Sequence, residues 1–183
     1  MNTQFDMTFI RSKKPCYNPA IYLPEGWKGN VKDILRHRDI PASDKLWVVL
    51  RKDLLNDKTL RLFAVACARR ALTRIPNPDP RSIIACDVAE SFANGIATRK
   101  ELALAAEHAA YAADYGAKHV EHAAYAAAYA VYAADYAAGA ATYAAGAATY
   151  AERAAAGAAY DAADRAAAAA ERQWQVECLL NML

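Results

Sequence analysis

The sequence predicts an all-α protein in which a small helical-bundle head is followed by a long Ala/Tyr heptad-repeat helix. Alanine is concentrated in the second half, with 10 Ala in residues 1–100 and 37 in residues 101–183. No proline follows Pro80, and a seven-residue period runs from Ala105 to the C-terminus. Because alanine has the highest helix propensity and proline the lowest, the second half is expected to be helical throughout.

Charge also divides the chain. Residues 1–100 hold 18 Lys+Arg and 10 Asp+Glu, whereas residues 101–183 hold 4 and 10. The small net charge of +2 therefore conceals a basic head and an acidic tail.

Residues 1–29 are expected to form an irregular N-terminal arm. Pro15, Pro19 and Pro24 interrupt regular structure there, and residues 7–11 suggest one short strand. The segment has no continuous apolar run, so no signal peptide is predicted.

Residues 30–97 are expected to form a compact bundle of four short helices. Each helix has a side chain suited to capping its N-terminus. The expected caps are Asn30, Ser43, Asn56 or Asp57, and Asp79 followed by Pro80. Gly95 is expected just beyond the end of the fourth helix.

The third of these helices carries a regular apolar face. Residues spaced by three and four fall on one side of a helix and predict its buried side. These residues are Leu60, Phe63, Ala64, Cys67 and Ala71.

Residues 98–183 are expected to form the heptad helix, started by a Thr98–Glu101 capping box. Eleven consecutive units follow from Ala105, with alanine at almost all of positions 1, 2, 5 and 6. A strict seven-residue period predicts a left-handed, coiled-coil-like supercoil. One continuous helix from Arg99 to about Leu180 would be about 120 Å long.

Two packings of this helix are open. In one, positions 4 and 7 form an oligomer seam in which tyrosine rings meet glycines of a neighbour; in the other, the alanine surface is the contact. The unbroken register favours a homo-oligomer over a chain that folds back on itself. The seam residues would be Tyr129, Tyr132, Tyr136, Gly139, Tyr143, Gly146, Tyr150, Gly157 and Tyr160.

Arginines of the head are candidate binding residues. Arg69, Arg70 and Arg81 could hold the phosphates of a nucleotide whose base stacks on Tyr111 or Tyr115. The preferred alternative is that these arginines pair with Asp79, Asp87 or a carboxylate of the tail. The pattern does not resemble a sequence-specific DNA-binding motif.

The sequence offers no catalytic constellation. Its four cysteines form no CxxC pair and have no His or Asn at a catalytic spacing, and no phosphate-binding loop is present. His119 and His122, with His108 three turns earlier, could ligate a metal, but they are more simply read as packing residues. We therefore expect a non-enzymatic protein with no cofactor and no metal.

Three stretches, IPASDKLWVVLR, LRLFAVACARRAL and NPDPRSIIACDVAESFANGIATRKELALAA, resemble a family of small alanine-rich, immunity-like proteins common in tailed-phage genomes. The resemblance implies a phage-encoded binding protein that acts on a host defence protein. A sponge for a nucleotide signal and a structural coiled-coil protein are the alternatives. The alanine-rich segment is too weakly apolar to insert into a membrane, so a cytoplasmic location is expected.

Overall fold

The structure is a computed structural model, and it describes residues 3–74, 77–114, 147 and 162–183. In these residues the chain is mostly helical, with one two-stranded antiparallel sheet. The strands are β1 (Phe5–Asp6) and β2 (Lys28–Gly29), and Pro19–Ile21 forms a 3₁₀ turn. The helices are α1 (Met7–Ser12), α2 (Val31–Arg36), α3 (Ala42–Val49), α4 (Asp57–Leu72), α5 (Pro80–Ala93), α6 (Arg99–Asp114) and α7 (Ala162–Met182). The all-α prediction is confirmed at this level.

The N-terminal segment differs from the expected irregular arm. The strand expected over residues 7–11 is wrong, because α1 occupies that stretch. The Asp6 side chain caps α1 by accepting a hydrogen bond from the Phe9 backbone N–H at 2.9 Å. The strand lies two residues earlier, where Phe5 pairs with Gly29 across the sheet.

This segment is part of the core. Phe5, Met7 and Ile10 are buried, and the Phe5 ring meets the Trp27 ring edge-on with their centroids 5.4 Å apart. The core is continuous with that of α2 to α7, so buried residues come from all three expected segments, 1–29, 30–97 and 98–183.

Three of the four expected helix caps are present. Asn30 forms a capping box with Asp33, and the side chains of Asn56 and Asp79 accept backbone hydrogen bonds from the first turns of α4 and α5. The expected Ser43 cap is wrong. Helix α3 begins one residue before Ser43, after Pro41, without a side-chain cap.

Helix α4 is the centre of the head. The five residues of its predicted apolar face, Leu60, Phe63, Ala64, Cys67 and Ala71, are all fully buried. Helix α5 packs on α4, and α6 packs on α5 after a turn at Gly95, whose φ of +77° suits glycine.

Both ends of the heptad segment lie on the head. Helix α6 begins at the predicted capping box, in which the Thr98 backbone N–H donates to Glu101 Oε2 at 2.7 Å. Helix α7 packs against α2, α3 and α4. Leu102 near the start and Leu179 near the end are both fully buried in the shared core.

These contacts do not confirm the expectation of one continuous helix from Arg99 to about Leu180. Such a helix would separate its ends by about 120 Å, whereas α6 and α7 both reach the α4–α5 pair. The residues of the expected oligomer seam lie outside the described part of the chain, so the seam and its supercoil stay predictions. They are Tyr129, Tyr132, Tyr136, Gly139, Tyr143, Gly146, Tyr150, Gly157 and Tyr160.

Candidate functional site

Arg69 pairs with two acids of the neighbouring helix. Its Nη2 atom lies 2.9 Å from Asp87 Oδ1 and 2.5 Å from Glu90 Oε2, both on α5. These contacts tie the C-terminal half of α4 to α5 and neutralise the guanidinium.

Arg81 pairs with the residue that caps its own helix. Its guanidinium donates to both carboxylate oxygens of Asp79, the shortest contact being 2.7 Å. These side-chain hydrogen bonds lower the pKa of Asp79 below its ordinary value. The expected pairing of head arginines with Asp79 and Asp87 is therefore confirmed.

Arg70 and Arg74 converge on one carboxylate oxygen of α7. Arg70 Nε lies 2.7 Å and Arg74 Nη2 lies 2.6 Å from Oε2 of Glu171. The Glu171 side chain has no exposed surface, whereas the two arginines are 32% and 33% exposed. Glu171 is thus the tail carboxylate that the basic head was expected to meet.

Two further side chains of α7 complete this group. The Arg70 guanidinium lies 4.3 Å from the centre of the Trp174 ring, a cation–π contact. Gln175 is fully buried and donates from Nε2 to Oε1 of Glu171 at 3.4 Å. We call Arg70, Arg74, Glu171, Trp174 and Gln175 the Glu171 cluster.

Sequence reasoning did not single out Glu171, Trp174 or Arg74 as a cluster. Their only signal is a change in the repeat, because Glu171 and Trp174 occupy positions 4 and 7, where most earlier units carry Tyr, Gly or His. An acid and a tryptophan replace the repeat residues in the unit that packs on the basic head.

The described residues do not assemble the expected nucleotide site. Arg69, Arg70 and Arg81 pair with three different sets of carboxylates. Tyr111 belongs to α6, but its side chain is outside the described part, and Tyr115 lies beyond it. Each of the three arginines therefore contacts at least one carboxylate.

Burial in α6 and in the last turns of α7 involves the same two heptad positions. Heptad positions are counted from Ala105. The buried residues of α6 are Ala105 at position 1 and Ala109 at position 5, together with Leu102. Leu102 also holds position 5, because it lies seven residues before Ala109. In α7, Gln175 and Leu179 occupy the same two positions. The isolated described residue Ala147, at position 1, is also fully buried.

Positions 4 and 7 behave differently in the two helices. In α6, Leu104 and His108 hold these positions and are exposed, Leu104 by 54%. In α7, position 4 is buried at Glu171 and position 7 is half-buried at Trp174. The alanine surface, which was one of the two open packings, is therefore the buried one in α6.

Large apolar side chains are exposed on the α5–α6 hairpin. Ile84 on α5 and Leu104 on α6 are each about half exposed, and Ile96 in the turn between them is 79% exposed. Exposed apolar surface of this kind is typical of protein interaction sites when it forms a patch.

Burial changes the acidity of two other reactive groups. Burial raises the pKa of the Cys86 thiol to about 12 and lowers the pKa of the Lys45 ammonium. Among the described residues, no group of three His, Cys, Asp or Glu side chains is placed to hold a metal. His119 and His122 lie outside those residues, and His108 is exposed.

A comparison of the chain with protein-family models, curated proteins and solved structures finds no match. No described helix is long and apolar enough to cross a bilayer.

Proposed function

We propose that the protein is a non-enzymatic binding protein whose partner is another protein. The resemblance to phage immunity-like proteins makes a host defence protein the first partner to test. Sequestration of a nucleotide and a structural role are the competing functions.

The burial phase of the heptad segment carries this proposal. Positions 1 and 5 are buried in α6, at Ala147 and in the last turns of α7, and positions 4 and 7 of α6 face solvent. If the burial pattern of α6 holds along the repeat, the tyrosines at positions 4 and 7 are available to a partner. Tyrosine is enriched at protein interfaces because it buries a large area with little loss of conformational entropy.

The exposed apolar residues of the α5–α6 hairpin favour the same class of partner. Ile84 on α5 and Leu104, near the start of the heptad segment, each leave about half of a large apolar side chain exposed. A protein surface can bury such residues, whereas a nucleotide has little apolar surface to cover them.

Charge pairing disfavours the nucleotide function. Phosphate recognition needs cations that are free or can be freed, and the guanidiniums of Arg69, Arg70 and Arg81 already contact carboxylates. A nucleotide would have to displace at least one of these acids.

The structural function depends on self-association. In that case, the partner of the tyrosine positions is a second copy of the chain, and a homo-oligomer forms through the heptad segment. This function and the host-protein function use the same surface, so the experiment must separate them.

Affinity purification of the tagged protein from a bacterial host, followed by mass spectrometry, identifies candidate partners. Binding of each purified candidate is then measured for the wild type and for Tyr136→Ala with Tyr143→Ala. We expect about ten-fold or greater weakening, since removing interface tyrosines commonly costs more than 1 kcal/mol each. Lys58→Ala, an exposed change on α4, is the matched control and should leave binding unchanged.

A thermal-shift screen with nucleotides tests the alternative. A ligand at 100 times its dissociation constant stabilises the folded state by about 2.7 kcal/mol. A nucleotide-dependent shift without any protein partner would refute the proposal in favour of sequestration. Neither a partner nor a shift would favour the structural function.

A further inference from the structure

An open cavity lies where α2, the chain between α3 and α4, and the end of α7 meet. Its volume is about 100 Å³, which is small beside the roughly 300–1,000 Å³ of sites for drug-sized ligands. No residue of the Glu171 cluster or of the α5–α6 hairpin lines it. The lining residues are five apolar ones, Val31, Leu54, Leu55, Met182 and Leu183, and four polar ones, Asn30, Lys32, Asn56 and Thr59.

The apolar part of the lining is anchored in the core of the head. Val31, Leu54 and Leu55 are all buried, so their positions are fixed by packing on the side away from the cavity. Met182 is partly exposed, and its unbranched thioether side chain can adapt to the shape of a bound molecule. A hydrocarbon group that enters the cavity is therefore removed from water against a preformed apolar surface.

The polar part of the lining offers mainly hydrogen-bond donors. Oδ1 of Asn30 accepts from the Lys32 backbone N–H at 2.8 Å, and Oδ1 of Asn56 accepts from the Thr59 backbone N–H at 2.7 Å. Capping thus uses the acceptor of each amide and leaves its NH₂ donors unused. The hydroxyl of Thr59 adds one more donor.

Lys32 gives the cavity its charge. Its side chain is half-buried, and its ammonium forms no ion pair with any residue that the structure describes. Of those residues, no aspartate or glutamate lines the cavity. An anionic group with several acceptor oxygens matches this lining, because an ammonium donates a charge-assisted hydrogen bond to it. A carboxylate with a hydrocarbon chain also uses the apolar walls, which inorganic phosphate cannot.

The volume limits the length of that chain. An apolar cavity of about 150 Å³ holds one benzene molecule, which has six carbons. A cavity of about 100 Å³ that is open to solvent holds an acid of about four to six carbons, with the carboxylate at its mouth.

We propose that this cavity binds a small unbranched carboxylic acid, whose carboxylate pairs with Lys32 and whose hydrocarbon chain lies on Val31, Leu54 and Leu55. The ligand is a small molecule, so the proposal does not depend on the proposed protein partner.

Titration of the full-length chain with acetate, butyrate and hexanoate at pH 7, followed by methyl NMR, is the first test. Saturable shifts should appear at the methyl groups of Val31, Leu54 and Leu55. Each added methylene should strengthen binding by about three- to four-fold, which corresponds to the burial of one CH₂ group. Hexanamide, which has the same length without the charge, should bind about ten-fold more weakly than hexanoate.

The Lys32→Met variant is the second test. It removes the ammonium but keeps an unbranched apolar side chain, so hexanoate binding should weaken by about ten-fold while hexanamide binding stays the same. Lys28→Met is the matched control, since Lys28 is an exposed lysine on β2 that does not line the cavity. It should leave the binding of both molecules unchanged.

Three results would overturn the proposal. The first is the absence of saturable shifts at these methyl groups up to roughly 50 mM hexanoate, as expected if the terminal carboxylate of Leu183 already uses the donors. The second is equal binding of hexanoate and hexanamide by the wild type. The third is equal weakening of hexanoate binding in Lys32→Met and Lys28→Met, which would assign the effect to the net charge of the protein.

Discussion

Gly29 sits where the backbone of β2 passes closest to an aromatic ring. A Cβ atom at this position would lie 2.5 Å from Cζ2 of Trp27 and 3.0 Å from Oδ2 of Asp33. The Trp27 ring is itself packed against Phe5, so it cannot move aside freely. We expect Gly29→Ala to destabilise the protein by about 1–3 kcal/mol, as overpacking of a core typically does.

Gly26→Ala is the matched control, because a Cβ atom there meets nothing within 4 Å. Urea unfolding of the two variants, followed by circular dichroism, gives the comparison. Equal stability of Gly29→Ala and the wild type would mean that β1 and β2 adjust without cost.

Lys45 is a buried cation on α3. It is 7% exposed, and burial lowers the pKa of its ammonium group. With a folded-state pKa below the unfolded one, the unfolded state binds the proton more tightly, so the lysine opposes folding at neutral pH and does so less above its unfolded pKa. We expect Lys45→Met, which replaces the charged side chain by an uncharged, unbranched one that is one atom shorter, to raise the free energy of unfolding at pH 7.

The same change at exposed Lys58 serves as the control and should have little effect. Denaturant unfolding at pH 7 measures both variants. A less stable Lys45→Met would show that the ammonium makes a favourable contact that outweighs its desolvation.

At the scale of the elements, cysteine reactivity reports how firmly each helix is held. Cys86 on α5 is fully buried with its pKa raised to about 12, so its reactive thiolate is scarce at pH 8, whereas Cys16 is exposed. Alkylation at pH 8 should modify Cys16 first and Cys86 only on unfolding, with half-buried Cys178 of α7 between them. Mass spectrometry of timed reactions checks the order, and rapid labelling of Cys86 in the folded protein would contradict it.

Helix starts could be predicted from sequence where a capping side chain decides them. Asn30, Asn56 and Asp79 were identified correctly because their hydrogen bonds are local. The start of α3 differs from its prediction, since Pro41 precedes that helix and no side chain caps it. Helix α1 has only six residues, and periodicity does not distinguish a helix from a strand in so short an apolar run.

The ion pairs of the site were only partly predictable. Charge asymmetry between the halves indicated that head arginines would meet acids of the tail. It could not select Glu171, because the choice depends on how α7 lies across α4, a contact between residues about a hundred positions apart. Long-range contacts of this kind leave no periodic signal in the sequence.

At the scale of the whole molecule, ion pairs set the response to acid. Hydrogen bonds from Arg81 lower the pKa of Asp79, and a hydrogen bond from Lys13 lowers the pKa of Asp53. A carboxylate with a lower pKa in the folded state stabilises folding above its unfolded value of about 4, and this contribution is lost as the pH falls through the folded pKa. We expect the contribution of these two carboxylates to the free energy of unfolding to be constant from pH 7 to 5 and to decrease below about pH 4.

Urea unfolding of the wild type and Asp79→Asn over this pH range measures the effect. The variant should lose less stability in acid, because its side chain at position 79 no longer titrates. An equal loss in both proteins would assign the acid response to other carboxylates.

Self-association depends on the heptad positions that the packing of one chain leaves exposed. Positions 1 and 5 are buried within one chain in α6 and in the last turns of α7, but positions 4 and 7 of α6 are exposed. Exposed tyrosines repeated at these positions would bury their rings against a second copy, with glycines leaving room for them. We expect sedimentation equilibrium at roughly 50 μM to give a mass above the 19.9 kDa of one chain.

Gly139→Leu combined with Gly146→Leu should shift the protein toward the monomer, because two leucines would fill the space left for tyrosine rings, at about 1–3 kcal/mol per site. Gly26→Leu adds the same side chain outside the heptad segment, where the backbone has open space, and should leave the mass unchanged. A strictly monomeric wild type would refute the homo-oligomer. It would also mean that the heptad segment buries its inward face by folding back on the head of its own chain. The contacts of α6 and α7 with the head are compatible with that arrangement.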